Sequence, residues 1–276
     1  MCAATLREIE PRGMMVKSLF LDYDGTISPR NVSRDESKVP AETFEMLWQI
    51  SREIPIAMIT SKDLWFIMRR TPFARAWSAM CGLETKVDAG VFEMPVSVNR
   101  LKRLGVAVEL AKRRLVRFGV DVEEKRNSCW QTHAFCVDWR RSRDKERIKR
   151  EVDLFGFRCE ALGLTVYRFE DAPFVDVYPV NVDKGLAVGK LRRALGLDSG
   201  VLFLGDSEAD NPAFLASDAG LAVVHDETRL ESLAADYLVR FEEVNSFLRS
   251  LLANGLAFGS GLSGVEPNLW RMKPGE

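Results

Sequence analysis

The sequence is poor in the residues that build histidine-rich or cysteine-rich metal centres. Its 276 residues include only two histidines, His133 and His225, and five cysteines. The cysteines are widely spaced and form no Cys-x-x-Cys pair. An odd, scattered set of this kind favours reduced thiols in a cytosolic protein over a disulfide framework or a zinc site.

Long apolar runs and an excess of one charge are also missing. No run approaches the ~20 residues of a membrane span, and residues 1–13 carry charges without an apolar core, so a signal peptide is not expected either. The 39 basic and 40 acidic residues give a formal net charge of −1, so no overall field recruits nucleic acid or an anionic membrane. The sequence therefore predicts a soluble, cytoplasmic protein with a small-molecule partner and neither nucleic acid nor membrane.

Short apolar runs alternate with helical patterns toward both ends of the chain. Such alternation is typical of a doubly wound, Rossmann-like α/β domain with a parallel sheet. We expect this discontinuous core to comprise residues 1–85 and 180–254. The predicted strands lie at 16–21, 54–59, 201–204 and 219–224, and the predicted helices begin near residues 40, 64, 184, 213 and 244.

The middle of the chain, residues 86–179, breaks this alternation. Apolar residues recur at spacings of three and four between Leu101 and Leu115, which predicts a long amphipathic helix. Two strand-like runs, a highly charged helix and two more strand-like runs follow. The order α-β-β-α-β-β predicts a separate α+β domain inserted into the core. Residues 255–276, rich in Gly, Ser and Pro, are predicted to form a flexible tail.

Two carboxylates follow the first predicted strand directly, in the run Asp22-Tyr23-Asp24-Gly25-Thr26. Carboxylates two residues apart can converge on one divalent cation while one of them attacks phosphorus, since aspartate is a recognised nucleophile that forms an aspartyl-phosphate. Mg²⁺ prefers carboxylate, carbonyl and water oxygens. Taken alone, the run leaves an acidic turn after a strand as an alternative.

Three further candidates lie at the ends of other predicted strands, the edge where open α/β sheets bind ligands. The Thr60 hydroxyl and the following N–H, that of Ser61, could cradle a phosphate or simply cap a helix. Lys184 could neutralise a nucleophile and a phosphoryl group together, or lie on the solvated surface. In the next acidic loop, Asp206 could ligate a cation with Asp210 bracing it, or the loop could cap a helix.

Together these four signals, in this order, resemble the four motifs of the haloacid-dehalogenase-like (HAD) phosphatases. The insertion resembles that family's C2-type cap, in the smaller variety of trehalose-phosphate phosphatases, mannosyl-3-phosphoglycerate phosphatases and phosphomannomutases. The runs Cys81-Gly82-Leu83-Glu84 and Asp176-Val177-Tyr178-Pro179 are similar to the trehalose-phosphate group, whereas Thr60-Ser61-Lys62 resembles the mannosyl-phosphoglycerate group. The resemblance implies a Mg²⁺-dependent phosphomonoesterase for a small phosphorylated metabolite, expected to be a sugar phosphate.

The resemblance also implies a role for each core residue. Asp22 would attack phosphorus, and Asp24 would act as general acid and then as general base. Mg²⁺ would be held by the Asp22 carboxylate, the backbone carbonyl of Asp24 and the Asp206 carboxylate, with Asp210 behind them. The phosphate oxygens would be held by Thr60, Ser61 and Lys184.

The cap is expected to close over the sheet edge and to choose the leaving group. Basic residues there suit a second anionic feature of the substrate, and an acidic residue suits sugar hydroxyls. For each of them a solvated face or a strand edge is the alternative. The candidate cap contacts are Lys125, Arg126, His133, Arg140, Arg168 and Asp176.

Two other functions stay open on the same residues. A phosphomutase resembling the phosphomannomutases would use the same aspartyl-phosphate but return the phosphate to a sugar. A non-enzymatic phospho-receiver or binding protein also uses an Asp cluster, a Thr and a Lys; the long insertion and Asp206 beyond a strand weigh against it.

Overall fold

The computed structural model describes residues 13–168, 173–259 and 261–269. Its helices and strands confirm the predicted α/β class with an inserted α+β unit. The helices are α1 Ala41–Ile50, α2 Leu64–Arg70, α3 Val98–Leu115, α4 Lys145–Ala161, α5 Lys184–Leu195, α6 Asn211–Ala216 and α7 Val244–Ala253. The strands are β1 Met14–Met15, β2 Ser18–Leu21, β3 Ile56–Ile59, β4 Ala76–Ala79, β5 Glu84–Val87, β6 Gly90–Glu93, β7 Asp121–Arg126, β8 Thr132–Asp138, β9 Thr165–Arg168, β10 Phe174–Tyr178, β11 Val201–Gly205, β12 Ala219–Val224, β13 Tyr237–Arg240, β14 Ala257–Phe258 and β15 Glu266–Pro267.

The main sheet contains nine of the described strands, in the order β15-β13-β12-β11-β2-β3-β4-β5-β6. The six strands from β13 to β4 are mutually parallel; β15 is antiparallel to β13 at one edge, and β5 is antiparallel both to β4 and to β6 at the other. From β2 the chain proceeds to β3 on one side and, after the insertion, to β11 on the other. This reversal places a topological switch point between β2 and β11, where open α/β sheets bind their ligands.

The central strands are buried because helices cover both faces of the sheet. Every residue of β2, β3 and β11 is buried, as expected for parallel strands with two covered faces. One apolar layer contains side chains of α1, α2 and α7, and the other contains side chains of α5 and α6. Helix α5 begins at Lys184, directly after its N-cap Asp183, whose side chain accepts hydrogen bonds from the first turn. This capping fixes where the lysine leaves the backbone.

The inserted unit is a four-stranded antiparallel sheet of order β7-β8-β10-β9 with α3 and α4 on one face. Its apolar core lies between these helices and alternate residues of the strands, among them Phe135, Val137, Val175 and Val177. Because successive side chains of a strand point to opposite faces, the residues between them face away from α3 and α4.

The cap and the core touch through a mixed interface. Ala134 and Tyr178 of the cap pack with Met80 and Leu83 of the core. The Arg34 guanidinium forms ion pairs with Asp63 of the core and Glu123 of the cap. Trp65 of α2 stacks on Trp130 of the β7–β8 turn, with ring centroids 6.4 Å apart. These contacts hold the helix-free face of the cap sheet against the core.

The predicted core boundary at residue 85 is displaced. Strands β5 and β6 form a hairpin whose partners include Val87 and Gly90, and it extends the main sheet beyond β4. The core segment therefore runs to Glu93. Sequence periodicity missed this hairpin because its strands have four residues each and β6 is largely exposed.

The described part of segment 255–276 also departs from the predicted flexible tail. Strand β14 pairs with β1, and β15 pairs with β13 at the edge of the main sheet. Phe258, Leu262 and Val265 are buried in the core. Gly261, Ser263 and Gly264 lie in turns between these apolar side chains. Residues 270–276, included in that prediction, lie outside the described residues, as does most of the segment 1–13.

Across the residues described, no helix combines the length and the apolar character needed to cross a membrane.

Candidate active site

Three carboxylates meet at the carboxyl edge of the main sheet. Asp22 follows β2 and Asp206 follows β11, the two strands at the switch point, and Asp210 lies one turn further along the second loop. Each contributes an oxygen that lies within 4.8 Å of the others, and all three are buried. A buried set of hard oxygen donors fits a divalent cation such as Mg²⁺.

Lys184 lies between two of these carboxylates. Its Nζ is 3.1 Å from Asp22 Oδ1 and 2.6 Å from Asp210 Oδ1, and the side chain is 5% exposed. Burying an ammonium group is tolerated only when it is paired and hydrogen-bonded. The lysine is therefore held beside Asp22 rather than on the solvated surface.

Asp210 braces the loop that carries Asp206. Its Oδ2 accepts hydrogen bonds from the backbone N–H of Asp206 at 3.0 Å, and from the N–H and hydroxyl of Ser207 at 3.2 Å. Gly205 allows this close approach, because a Cβ there would lie 2.5 Å from the Asp210 carboxyl carbon. The first motif, which contains Asp22, and the fourth, which contains Asp206, are thus joined through Lys184 and Asp210.

The Asp24 side chain does not belong to the acidic cluster. Its Oδ1 accepts a hydrogen bond from the Ser37 hydroxyl at 2.8 Å, and its Oδ2 is 3.3 Å from Lys62 Nζ. The side chain is 37% exposed. Asp24 thus presents a carboxylate at the opening of the site, while its backbone stays in the tight turn that carries Asp22.

Thr60 directly follows β3, the neighbour of β2 on the side away from β11. The side chain is buried, and its hydroxyl accepts a hydrogen bond from the N–H of Lys62 at 3.2 Å. Ser61 follows it, half-buried, in the turn before α2. The N-cap of that helix is Asp63, which accepts a hydrogen bond from Phe66 N, so Thr60 is not the capping residue.

Burial of so many charges perturbs their protonation. Burial raises the pKa of Asp22 well above its usual range, Lys184 opposes the rise, and Asp210 and Asp206 add to it. Burial also raises the pKa of Asp206 to about 7, against the opposing effect of Arg30. Although burial alone lowers the pKa of Lys184, Asp210 and Asp22 hold it well above its ordinary value. The cluster has excess negative charge, which a bound cation would neutralise.

The raised pKa of Asp206 predicts how the metal-free protein responds to pH. Its pKa in the folded state, about 7, exceeds the ordinary 3.8, so the stabilisation from the bound proton is complete below about pH 3.8 and is lost as pH rises toward 7. We expect the free energy of unfolding of Asp206→Asn, measured with urea in EDTA, to fall less steeply than that of wild type as pH rises from about 3.8 to about 7. Asp88→Asn, at an exposed carboxylate, is the control. An unchanged slope in Asp206→Asn contradicts the assignment.

Two of the predicted cap residues form a buried ion pair on the face of the cap sheet that is turned toward the core. Lys125 Nζ lies 2.6 Å from Asp176 Oδ1, and both side chains are almost inaccessible. The hydroxyl of Tyr178, a residue of the cap–core interface, donates to Asp176 Oδ2 at 3.3 Å. Lys125 also contributes to the electrostatic environment of Lys62, the partner of Asp24. This pair therefore lies close to the opening of the site.

Two of the other predicted cap residues, Arg126 and Arg168, lie on the opposite face of the cap sheet. Arg168 pairs with Glu160 of α4, and Arg126 pairs with Glu124. Strand alternation is the reason: Arg168 lies opposite the core residue Val175, and Glu124 opposite the core residue Phe135. His133 is buried beside Asn127, and Arg140 pairs with Asp138.

Four residues at the site were not identified from the sequence. Lys62 and Ser37 contact the Asp24 carboxylate, Arg30 pairs with Asp206, and His225 Nε2 lies 2.7 Å from the carbonyl oxygen of Gly25. Lys62 adjoins Thr60 in the chain, which is a usable signal. The other three lie in loops without periodic pattern, and only the fold brings them to the acidic turn.

Comparison with known proteins finds relatives and solved structures that are named as phosphatases. No protein-family model matches the chain. The curated protein "Probable trehalose-phosphate phosphatase 3" of Oryza sativa subsp. japonica is 24% identical over 273 residues, covering 89% of this chain and 72% of the rice protein.

Solved structures resemble the chain over most of its length. A trehalose-6-phosphate phosphatase related protein superposes with a TM-score of 0.63 and 17% identity, over 87% of this chain and 98% of that one. The C-terminal domain of trehalose-6-phosphate phosphatase from C. albicans gives 0.69 and 16%, over 88% and 94%. A HAD subclass IIB sugar phosphatase gives 0.57 and 16%, over 87% and 100%. These likenesses confirm the resemblance carried by the four motifs, and the chain has the fold of the haloacid-dehalogenase-like phosphatases.

Proposed function

We propose that this protein is a Mg²⁺-dependent phosphomonoesterase that hydrolyses a small phosphorylated sugar through a phospho-enzyme on Asp22. The observation that carries the proposal is the buried contact of Lys184 with Asp22, within an acidic cluster at the switch point of the sheet. The names of the relatives, which include trehalose-phosphate and sugar phosphatases, support a sugar phosphate as the substrate class.

Asp22 is the proposed nucleophile. Lys184 Nζ, at 3.1 Å from Asp22 Oδ1, favours the ionised carboxylate that must attack and would also attract the phosphoryl oxygens. Thr60 and Ser61, at the end of the adjacent strand β3, would donate hydrogen bonds to the same oxygens. Catalysis of this kind depends chiefly on positioning and on charge neutralisation.

Asp24 is the proposed proton carrier. Its partly exposed carboxyl would protonate the leaving alcohol and then accept a proton from the water that cleaves the aspartyl-phosphate. Its bonds to Ser37 and Lys62 orient the side chain away from the acidic cluster. The two carboxylates of one short motif are thereby given separate tasks.

The acidic cluster fits a resident Mg²⁺ ion. The Asp22 and Asp206 carboxylates and the backbone carbonyl of Asp24 would hold it, and Asp210 would keep the Asp206 loop in place through the N–H bonds described above. When bound, the ion would neutralise charge on the phosphoryl oxygens.

The cap is proposed to select the sugar. The buried pair of Lys125 and Asp176 presents a cation and an anion on the face of the cap sheet turned toward the core. Opposite charges at one place suit neutral hydroxyl groups, which both donate and accept hydrogen bonds. Arg126 and Arg168 are no longer proposed as contacts, because they lie on the other face.

The direct test is a phosphate-release assay with purified protein, using nitrophenyl phosphate and a panel of phosphorylated sugars and glycerates. We expect release that is abolished by EDTA and restored by Mg²⁺, with the highest kcat/KM on a sugar phosphate. Asp35→Asn, at an exposed carboxylate on the loop after Asp24, is expected to match the wild type.

Three outcomes oppose the proposal. Full activity in EDTA removes the metal dependence. Phosphate that moves between positions of a sugar without net release indicates a phosphomutase. A phosphorylated protein that is stable for minutes without turnover indicates a phospho-receiver.

A further inference from the structure

The Arg30 side chain contacts Asp206, one of the three carboxylates of the acidic cluster. Its Nε lies 2.5 Å from Asp206 Oδ2, its Nη2 contacts the same oxygen, and Nη2 also donates to the Asp206 backbone carbonyl at 2.6 Å. The guanidinium therefore donates hydrogen bonds to both the carboxylate and the backbone carbonyl of Asp206. Fork-shaped contacts of this type are among the stronger hydrogen bonds in proteins.

The turn after β2 is shaped to admit this side chain. Gly25 has φ +79°, and a Cβ there would lie 2.1 Å from Asp206 Oδ2 and 2.8 Å from Arg30 Cγ. His225 holds the same turn through its contact with the Gly25 carbonyl. A side chain at position 25 would thus displace both Asp206 and Arg30, so the close packing of the pair depends on this glycine.

The charges of the cluster are divided between two cations of the chain. Lys184 is shared by Asp22 and Asp210, whereas Arg30 serves Asp206. Three carboxylates and these two cations leave a single net negative charge. Arg30 therefore supplies to Asp206 part of the neutralisation that a bound divalent ion would otherwise provide.

We propose that Arg30 is an internal counter-cation that competes with Mg²⁺ for Asp206. It stabilises the metal-free site and weakens the affinity of the protein for Mg²⁺, because two cations that share one carboxylate repel each other. The inference rests on the proposed function for the identity of the ion. A residue that merely orients Asp206 for the metal has the opposite effect, since its removal weakens metal binding.

The test compares wild type with Arg30→Met, which keeps the apolar stem and removes the charge, by isothermal titration with Mg²⁺ alone. We expect the dissociation constant of Arg30→Met to fall by about tenfold or more. The thermal midpoint of Arg30→Met in EDTA should lie below that of wild type, because Asp206 is left buried without its partner. Saturating Mg²⁺ should narrow this difference.

Two further variants sharpen the comparison. Arg30→Lys keeps the charge without the fork and should retain an affinity near that of wild type. Arg34→Met removes a guanidinium from the same loop that pairs with Asp63 and Glu123, and it should leave Mg²⁺ affinity unchanged.

Circular dichroism shows whether Arg30→Met is folded. If the folded variant binds Mg²⁺ as tightly as wild type or more weakly, the inference is overturned and the proposed function stands. Absence of Mg²⁺ binding in both proteins overturns the inference together with the metal dependence. If the wild type releases no phosphate from any ester, the proposed function fails, while the comparison of affinities still decides the role of Arg30.

Discussion

Asp22→Asn is expected to lower kcat for phosphate release by roughly 10⁴-fold or more, the scale seen when an enzyme loses its nucleophile. The amide has the shape of the carboxylate but cannot attack phosphorus to form an acyl-phosphate. The protein should stay folded, because burial already raises the pKa of Asp22 and a neutral side chain removes a desolvation cost there. Steady-state kinetics and urea unfolding of the same preparations check both statements.

Asp35→Asn serves as the matched control for this substitution, since it makes the same chemical change at an exposed position of the following loop. It should leave kcat and stability within error of wild type. Substantial activity in a folded Asp22→Asn protein would remove Asp22 from the role of nucleophile.

Lys184→Met is expected to damage both stability and catalysis. Nζ contacts Asp22 and Asp210 in a buried environment, so its removal leaves two carboxylates without their cation, which typically costs about 3–5 kcal/mol. Loss of charge stabilisation at the reacting group should lower kcat by roughly 10²–10³-fold. Urea unfolding and steady-state kinetics measure the two effects, and Lys190→Met in the same helix is the control.

The stability loss in Lys184→Met should depend on pH. Without the ammonium group, the pKa of Asp22 rises further above its unfolded value, so its protonation stabilises the fold at low pH and this contribution disappears as pH rises. The deficit relative to wild type should therefore be smaller near pH 5 than near pH 8. A deficit that is constant across this range, or absent, contradicts the buried ion-pair network.

The parts of the core that carry the site were predictable because they obey one rule. Parallel strands covered on both faces are continuous apolar runs, and polar residues that interrupt such runs mark the carboxyl edge of the sheet. Asp22, Thr60 and Asp206 stand at such interruptions, so their strands and their common edge followed from the sequence. Lys184 was weaker evidence than the other three residues, because its burial between Asp22 and Asp210 depends on how α5 packs beside the loop after β11.

What escaped prediction has little local signal. The β5–β6 hairpin is short and partly exposed, and the strands near the C-terminus have two residues each, too few to show a period. Arg126 and Arg168 were predicted as contacts by charge alone, whereas strand parity places them on the helix side of the cap. Arg30 reaches Asp206 across 176 positions of sequence, a contact that only the tertiary fold creates.

If phosphate passes through Asp22 during the reaction, the phosphorylated protein can be trapped. Wild-type protein mixed with Mg²⁺ and its best phosphate ester would be quenched in acid within the first turnovers, digested and examined by mass spectrometry. We expect a phosphoryl group on the peptide that contains Asp22, absent from Asp22→Asn and lost as substrate is exhausted. A phosphoryl group on another residue would exclude Asp22 as the nucleophile. So would turnover without any phosphorylated protein, provided that the quench resolves the time scale of the burst phase.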